Sequence, residues 1–271
     1  MKLDVITGDK FLQLENQMIA YMKIDTLVLH HPLPWRGRMH AARAAPVWIS
    51  GHGDWGVTSD IYKRYAHHTN AWFAANREHT APNLFAIPIG ITNDCGDSPM
   101  HRIYGNVGVM EEALSEPRTI KNTAYMNFQI HTYPQEREPV YNMFKRKEWV
   151  TVGFAEHTLR GRLGYLRDIR SHKFVVCPRG GGVDTHRLWE TLYMESIPIV
   201  KRHVAMNDFG DLPICWINDW SEVTPEFLES EYKRITEGTW NLEKLKFSYW
   251  AKLVQTHASR YLLTGIPAGK E

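Results

Sequence analysis

The residues best suited to chemistry lie in one stretch, FVVCPRGGGVDTHRLWETLYMESIPIV, residues 174–200. An apolar run ends at Cys177, Pro178 stops strand pairing, and Arg179 with Gly180, Gly181 and Gly182 forms a loop whose backbone can approach a ligand closely. Asp184 or Thr185 then caps a helix. Free N–H groups and the helix dipole at that end favour an anion such as a diphosphate. His186 and Arg187 stand in the first helical turn, where positive side chains oppose the dipole, so they serve something other than helix stability. Glu190 follows His186 by four residues on nearly the same face, and its carboxylate could accept two hydrogen bonds from a ribose diol.

Each of these residues also has a plain structural reading. The glycines make a loop, Asp184 caps a helix, and Glu190 pairs with Arg187. Taken together after a buried strand, they read as a ligand site. The pattern is neither a P-loop, since no Gly-Lys-Ser/Thr follows, nor GxGxxG.

The elements that must position this segment are strands alternating with helices. Thr26–His30 and Pro46–Ser50 read as strands, Thr58–His68 as a helix, and Ala71–Asn76 and Leu84–Ile89 as further apolar runs. Residues 94–118 lack a period and read as a linker with a brief helix at Glu111–Leu114. Beyond it come strands at Ala124–Ile130, Trp149–Val152, Phe174–Cys177, Pro198–Lys201 and Ile214–Ile217. Helices are expected at Glu136–Lys147, Gly161–Ser171, Thr185–Met194 and Pro225–Glu237. A last long helix over Leu242–Leu262 offers Leu245, Tyr249, Trp250, Leu253 and Tyr261 for packing. Strand–helix–strand repetition with right-handed crossovers builds parallel sheets. The expectation is two domains, 1–118 and 119–271.

Composition narrows the function. The 271 residues carry 32 Lys and Arg against 30 Asp and Glu, interspersed and without a basic stripe, so a nucleic-acid partner is not expected. Cys95, Cys177 and Cys215 are few and far apart, which fits a reducing compartment. There is no CxxC or HExxH for zinc. The start of the sequence lacks an apolar leader, and no run of about 18 apolar residues would span a membrane. A cytoplasmic protein of unknown oligomeric state is expected.

Residues 177–200 resemble the sugar-nucleotide segment of exostosin-like glycosyltransferases (family 47), most of all the small soluble enzymes of that type encoded by large algal viruses. WISGHGDWGVT (residues 48–58), WFAAN ending at Asn76, IPIGITN around Gly90 and NFQIHTYPQER (127–137) are similar to other pieces of those proteins. The likeness covers roughly residues 45–255. Two departures stand out: Gly181 where such enzymes often have Asn, and Glu195 where they often have Gly, a change expected to touch a helix cap.

The resemblance implies an α/β fold of GT-B type: two Rossmann-like domains facing across a cleft, with the final helix crossing back to the first. It implies an inverting transfer from a nucleoside diphosphate sugar to a glycan hydroxyl, without metal or other cofactor. A UDP-sugar such as UDP-xylose is favoured. The base is expected in the loop after Pro46–Ser50, as Asp54 or, next, His52. Arg137, Arg179 and Arg187 are candidates for the diphosphate, Thr132 adds a hydroxyl, and Asp184, Thr185 and His186 lie beside sugar or phosphate. Glu190 is assigned the ribose, so Glu190→Ala is expected to weaken nucleotide binding more than folding. Trp55 and Asn76 fall on the acceptor side. Asp54 fits a turn cap equally well, and Arg137 a helix surface. The competing reading is a non-catalytic carbohydrate-binding protein on the same fold. A nicotinamide-dependent epimerase is disfavoured by the missing GxGxxG and Tyr-x-x-x-Lys.

Overall fold

The computed structural model describes residues 2–14, 28–30, 44–51, 53–94 and 98–264. Two parallel sheets organise it. After a helix over residues 8–14 (α1), the strands β1 (Val28–His30), β2 (Ala45–Ser50), β3 (Thr69–Ala74) and β4 (Leu84–Ala86) lie side by side in chain order. Register is fixed by pairs such as Trp48 with Trp72 and Phe73 with Phe85. Between β2 and β3 runs α2 (Ser59–Tyr65), started by Thr58, whose hydroxyl accepts from the Ile61 N–H. Of the expected strand Thr26–His30, the first two residues lie outside the described ones.

The second sheet has the order β6-β5-β7-β8-β9, with β5 (Asn122–Met126), β6 (Val150–Val152), β7 (His172–Val176), β8 (Ile197–Lys201) and β9 (Cys215–Ile217) all parallel. Helices α5 (Pro134–Phe144), α6 (Leu159–Arg170), α7 (His186–Tyr193) and α8 (Pro225–Thr236) connect and follow these strands. Near-continuous burial along β7 and β8 is what a sheet covered on both faces requires.

Several expectations change. Residues 94–118 hold two helices, α3 (Pro99–Tyr104) and α4 (Val107–Ser115), rather than a linker. Each has a side-chain cap, Ser98 on the Met100 N–H and Asn106 on the Val109 N–H. Met110 and Ala113 of α4 are buried in the same core as Leu166 and Ile169 of α6. The strand expected to reach Ile130 stops at Met126, and α5 begins at Pro134, since proline suits a first helical turn. The long last helix divides into a short turn, Leu242–Leu245, and α9 (Phe247–Thr264).

One apolar cluster joins both sheets. It holds Val47, Ile49 and Phe73 with Val175, Leu188 and Trp189, and α9 adds Trp250, Val254 and Ala258. Helix α9 thus crosses back to the first sheet, where the His257 ring meets Phe73 and Phe85. Glu195, just past α7, adopts φ +64°, the left-handed position that glycine usually fills after a helix. Glu195 therefore stands at the cap of α7, where the sequence placed it.

Candidate functional site

Strand β5 has β6 on one side and β7 on the other, so consecutive connections leave the sheet in opposite directions. In open parallel sheets the crevice at such a switch point, beyond the carboxyl ends of the strands, is where ligands bind. A cavity of about 350 Å³ opens there. The segments after β5, β6 and β7 form one wall, and the other includes Asp54, beyond β2, and Ile89 and Thr92, beyond β4.

The second sheet's wall is cationic. Arg137 on α5 is buried; its Nε donates to the Arg179 carbonyl at 2.7 Å and its Nη1 to the Gln129 carbonyl at 2.8 Å. Burial, then the nearby charge of Arg187, pulls its pKa down to about 10. Both guanidiniums sit over one ring, Phe128, at 5.7 Å for Arg137 and 5.8 Å for Arg187. The Arg187 Nε is buried with no hydrogen-bond partner. Two like charges held against one aromatic ring, one with an unanswered donor, form a seat for an anion.

Beside them the chain turns through Gly180 to Gly182, closed by the Gly180 N–H donating to the Gly182 carbonyl at 2.9 Å. A Cβ on Gly181 would collide with the Asp54 carboxylate, which reaches across from the opposite wall. A Cβ on Gly182 would lie 2.6 Å from the Asn76 Nδ2. The glycines therefore allow the two walls to meet at this loop.

Deeper in, Glu190 is buried, and both its oxygens are engaged. Oε1 pairs with the Arg162 Nη2 at 2.8 Å, and Oε2 accepts from the Tyr165 hydroxyl at 2.9 Å. Burial pushes its pKa up, but the Arg162 charge and hydrogen bond, followed by His186 and Tyr165, outweigh this and hold it below the usual carboxylate range. Arg162 is itself 1% exposed, lies between the Tyr104 and Tyr165 rings, and keeps Nε and Nη1 buried without partners.

The two sheets are cross-braced around the cavity. Asp184 is buried; its Oδ2 accepts from the Ile89 N–H at 2.8 Å and its Oδ1 from the Trp189 Nε1–H at 2.7 Å. Its own N–H donates to the Asn76 Oδ1 at 2.8 Å. Burial raises the Asp184 pKa to about 7 against those hydrogen bonds. The His186 Nδ1 lies 2.8 Å from the Gly90 carbonyl oxygen, which can only accept, so Nδ1 carries a proton. Farther out, Arg77 pairs with Asp208 at 3.1 Å.

Of the residues singled out in the sequence, Asp54, Thr132, Arg137, Gly180, Gly181, Gly182, Asp184, Thr185, His186, Arg187 and Glu190 line the cavity. Thr185 occupies the N-cap position of α7 but makes no side-chain cap bond. Arg179 does not line the cavity. It bends back so that its Nη2 donates to the Gly181 carbonyl at 3.1 Å, and it stacks on Tyr133. Asn76 is a buried brace at φ +51° rather than an open acceptor surface. Trp55 is 47% exposed and lines neither this cavity nor the one beside it. His52 lies outside the described residues. Arg137 is not a surface residue, and Glu190 pairs with Arg162 rather than Arg187. Glu190→Ala would strand a buried guanidinium, so the expectation that it spares folding does not hold.

Sequence reasoning missed Tyr104, Phe128, Arg162 and Tyr165. Arg162 had a legible signal: it shares a helical face with Leu166 and Ile169, a charge inside an apolar stripe. Tyr104 had none, lying 58 residues from its Arg162 partner.

A parallel α/β protein of GT-B type, two sheets meeting at a cation-lined cleft, is the class that this fold and site define. The sequence matches no family model, and no curated protein matches it. Solved structures similar to it include an alpha1,3-fucosyltransferase, at 11% identity and a TM-score of 0.45 over 86% of this chain and 81% of the other. A glycosyltransferase from Rickettsia africae is 9% identical with a TM-score of 0.38, over 97% of this chain and 85% of that one. The wall teichoic acid polymerase TagF is 10% identical with a TM-score of 0.31, over 97% and 88%. Likeness at these scores carries no functional weight; the cleft's own residues do.

Proposed function

We propose that this chain is a glycosyltransferase of exostosin-like type, built of two units that divide near residue 118, which takes its sugar from a nucleoside diphosphate. The observation that carries this reading is the cavity shared by Arg137, Arg187, the Gly180–Gly182 loop and Glu190. The two arginines and the N-terminal end of α7 hold the diphosphate, and Glu190 accepts from the ribose through lone pairs that Arg162 and Tyr165 leave open. The donor is a UDP-sugar, UDP-xylose being one example, and the acceptor is a glycan hydroxyl.

In the transfer, the acceptor oxygen attacks the anomeric carbon as the bond to the diphosphate oxygen breaks. The bonding pair leaves with the diphosphate, and the acceptor's proton passes to Asp54. A single in-line displacement inverts the anomeric centre. Charge developing on the leaving group meets fixed guanidiniums and backbone N–H groups, so the reaction proceeds without a metal or other cofactor. Among the described residues no group of three or more His, Cys, Asp or Glu side chains is arranged to hold a metal ion, and no helix is long and apolar enough to cross a membrane. The protein works in the cytoplasm, that of a host if it is virus-encoded.

The test is calorimetric titration with UDP, GDP and CMP in the presence of EDTA, followed by transfer assays with the matching sugars. Binding of one nucleoside diphosphate that survives EDTA, with turnover, supports the reading. Binding to glycans without nucleotide binding or turnover would replace it with a carbohydrate-binding protein on the same fold. Loss of turnover in EDTA would remove metal independence.

A further inference from the structure

Away from the cleft, the described residues enclose another cavity, of about 390 Å³. It lies at the amino ends of the second sheet's strands, whereas the cleft lies at their carboxyl ends. The starts of β7 and β8 line it, as do the last turns of α7 and α8 and the segment from Trp240 to Leu245 that follows. It shares no residue with the cleft cavity. Its size falls within the range of small-molecule sites, roughly 300–1,000 Å³.

Two of its aromatic walls have already spent their polar atoms within the fold. The Tyr193 hydroxyl donates to the Leu245 carbonyl at 2.7 Å and accepts from the Ile6 N–H at 2.9 Å. The Trp240 Nε1–H donates to the Ile235 carbonyl at 2.8 Å. What these side chains offer a ligand is ring surface. Leu192, Ile197, Ile235 and Leu245 add aliphatic surface beside it.

The charges along the lining are not balanced. Lys173 pairs with Glu229 at 2.8 Å, and Glu195 pairs with Arg170 at 3.4 Å. Arg118 forms no salt bridge among the described residues. Its Nε donates to the Arg170 carbonyl at 3.1 Å, and its Nη2 to the Ser196 hydroxyl at 3.0 Å and the His172 carbonyl at 3.4 Å. Those acceptors are all neutral, and Nη1 takes part in none of these bonds. Burial pulls the Arg118 pKa down, and the charge of Glu195 does not restore it. The cavity therefore presents one fixed cation without a counter-charge, set among apolar walls. A carboxylate answers a guanidinium with short, charge-assisted hydrogen bonds. A second anionic group on the same ligand would lose its hydration with no free cation to receive it.

We infer that this cavity is a second ligand site, separate from the cleft, for a small apolar monocarboxylate. The ring or short chain of the ligand lies against Tyr193, Trp240 and the aliphatic walls, and its carboxylate meets Arg118. Such a site stands whether or not the cleft transfers sugar.

The test is isothermal titration calorimetry on the full chain with 3-phenylpropionate and hexanoate, each beside its primary amide. At least one acid is expected to bind at least about tenfold tighter than its amide. Arg118→Gln should bring that acid down to the level of its amide, a loss of about tenfold. Arg187→Ala, which removes a cation from the cleft, should leave the acid's dissociation constant within about twofold. Leu242→Asp places a carboxylate on the lining from a half-exposed position and should weaken the acid more than the amide. That variant decides the question even if Arg118→Gln does not fold. No binding by either acid, amides that bind as well as acids, or a folded Arg118→Gln that keeps the preference would each overturn the site. So would an acid that ignores Leu242→Asp, or one lost in Arg187→Ala, which would place it in the cleft.

Discussion

The two walls of the cleft are built on the same kind of sheet yet hold charge in opposite ways. On the second sheet's wall, charge is buried and braced: Arg162 is locked to Glu190, and Arg137 is tied to two backbone carbonyls. On the first sheet's wall the glycine loop faces the buried Asn76 and, farther out, Asp54, exposed on a glycine-rich turn. The difference teaches where preorganisation is needed. On the proposed reading, a leaving anion meets cations whose desolvation was already met during folding, while the proton acceptor stands where the acceptor hydroxyl can reach it. Changes to the braced wall should therefore register in stability and affinity, and changes to the open wall in turnover.

The sharpest break in this comparison comes from Asp54→Asn. Transfer is expected to fall about 10²–10⁴-fold, with the UDP dissociation constant within about threefold of wild type. Steady-state kinetics beside calorimetry would read both, and normal turnover would move the base elsewhere. Next in size is Arg162→Met, which leaves Glu190 buried beside Tyr165 without its cation. Urea unfolding should show a loss of about 3–5 kcal/mol; an unchanged midpoint would mean that the pair does not brace the wall.

Asp184 comes third, through pH. Its carboxyl holds a proton up to about pH 7 in the folded protein, against a value near 4 in the unfolded chain. Between those limits the folded state binds more protons, so stability falls as pH rises from about 4 to about 7 and levels off above. Asp184→Asn should remove that part of the slope, by an amount on the order of a few kcal/mol. Parallel slopes for the two proteins in melts across this range would refute the assignment. Arg187→Ala should cost nucleoside diphosphate binding about 1.5–3 kcal/mol with little change in melting temperature. The smallest effect is expected from Arg179→Ala. Its side chain lies outside the cavity, so UDP affinity should stay within about twofold, and a larger loss would return Arg179 to the diphosphate.

Much of the second wall is legible in the sequence because its residues are contiguous. Gly180 to Glu190 can be read as loop, helix start and carboxylate from type and spacing alone. The stretch 94–118 misleads for the same local reason in reverse. Its glycines and prolines mask the capping residues Ser98 and Asn106, which do start α3 and α4. Arg162 stands out as a charge on the Leu166–Ile169 stripe, though nothing local names Glu190 as its partner.

By itself, the sequence determined the alternation of strands and helices, the glycine loop before α7 and the concentration of cationic chemistry there. These follow from side-chain type and period, which act over a few residues. Only the tertiary structure decided that Arg179 turns away while Arg137 turns in, that Asp184 and Asn76 brace one sheet against the other, and that Asp54 meets Gly181 across the cleft. Those contacts join residues that are distant in sequence. They depend on how two sheets sharing one core are set against each other, and no local pattern encodes that.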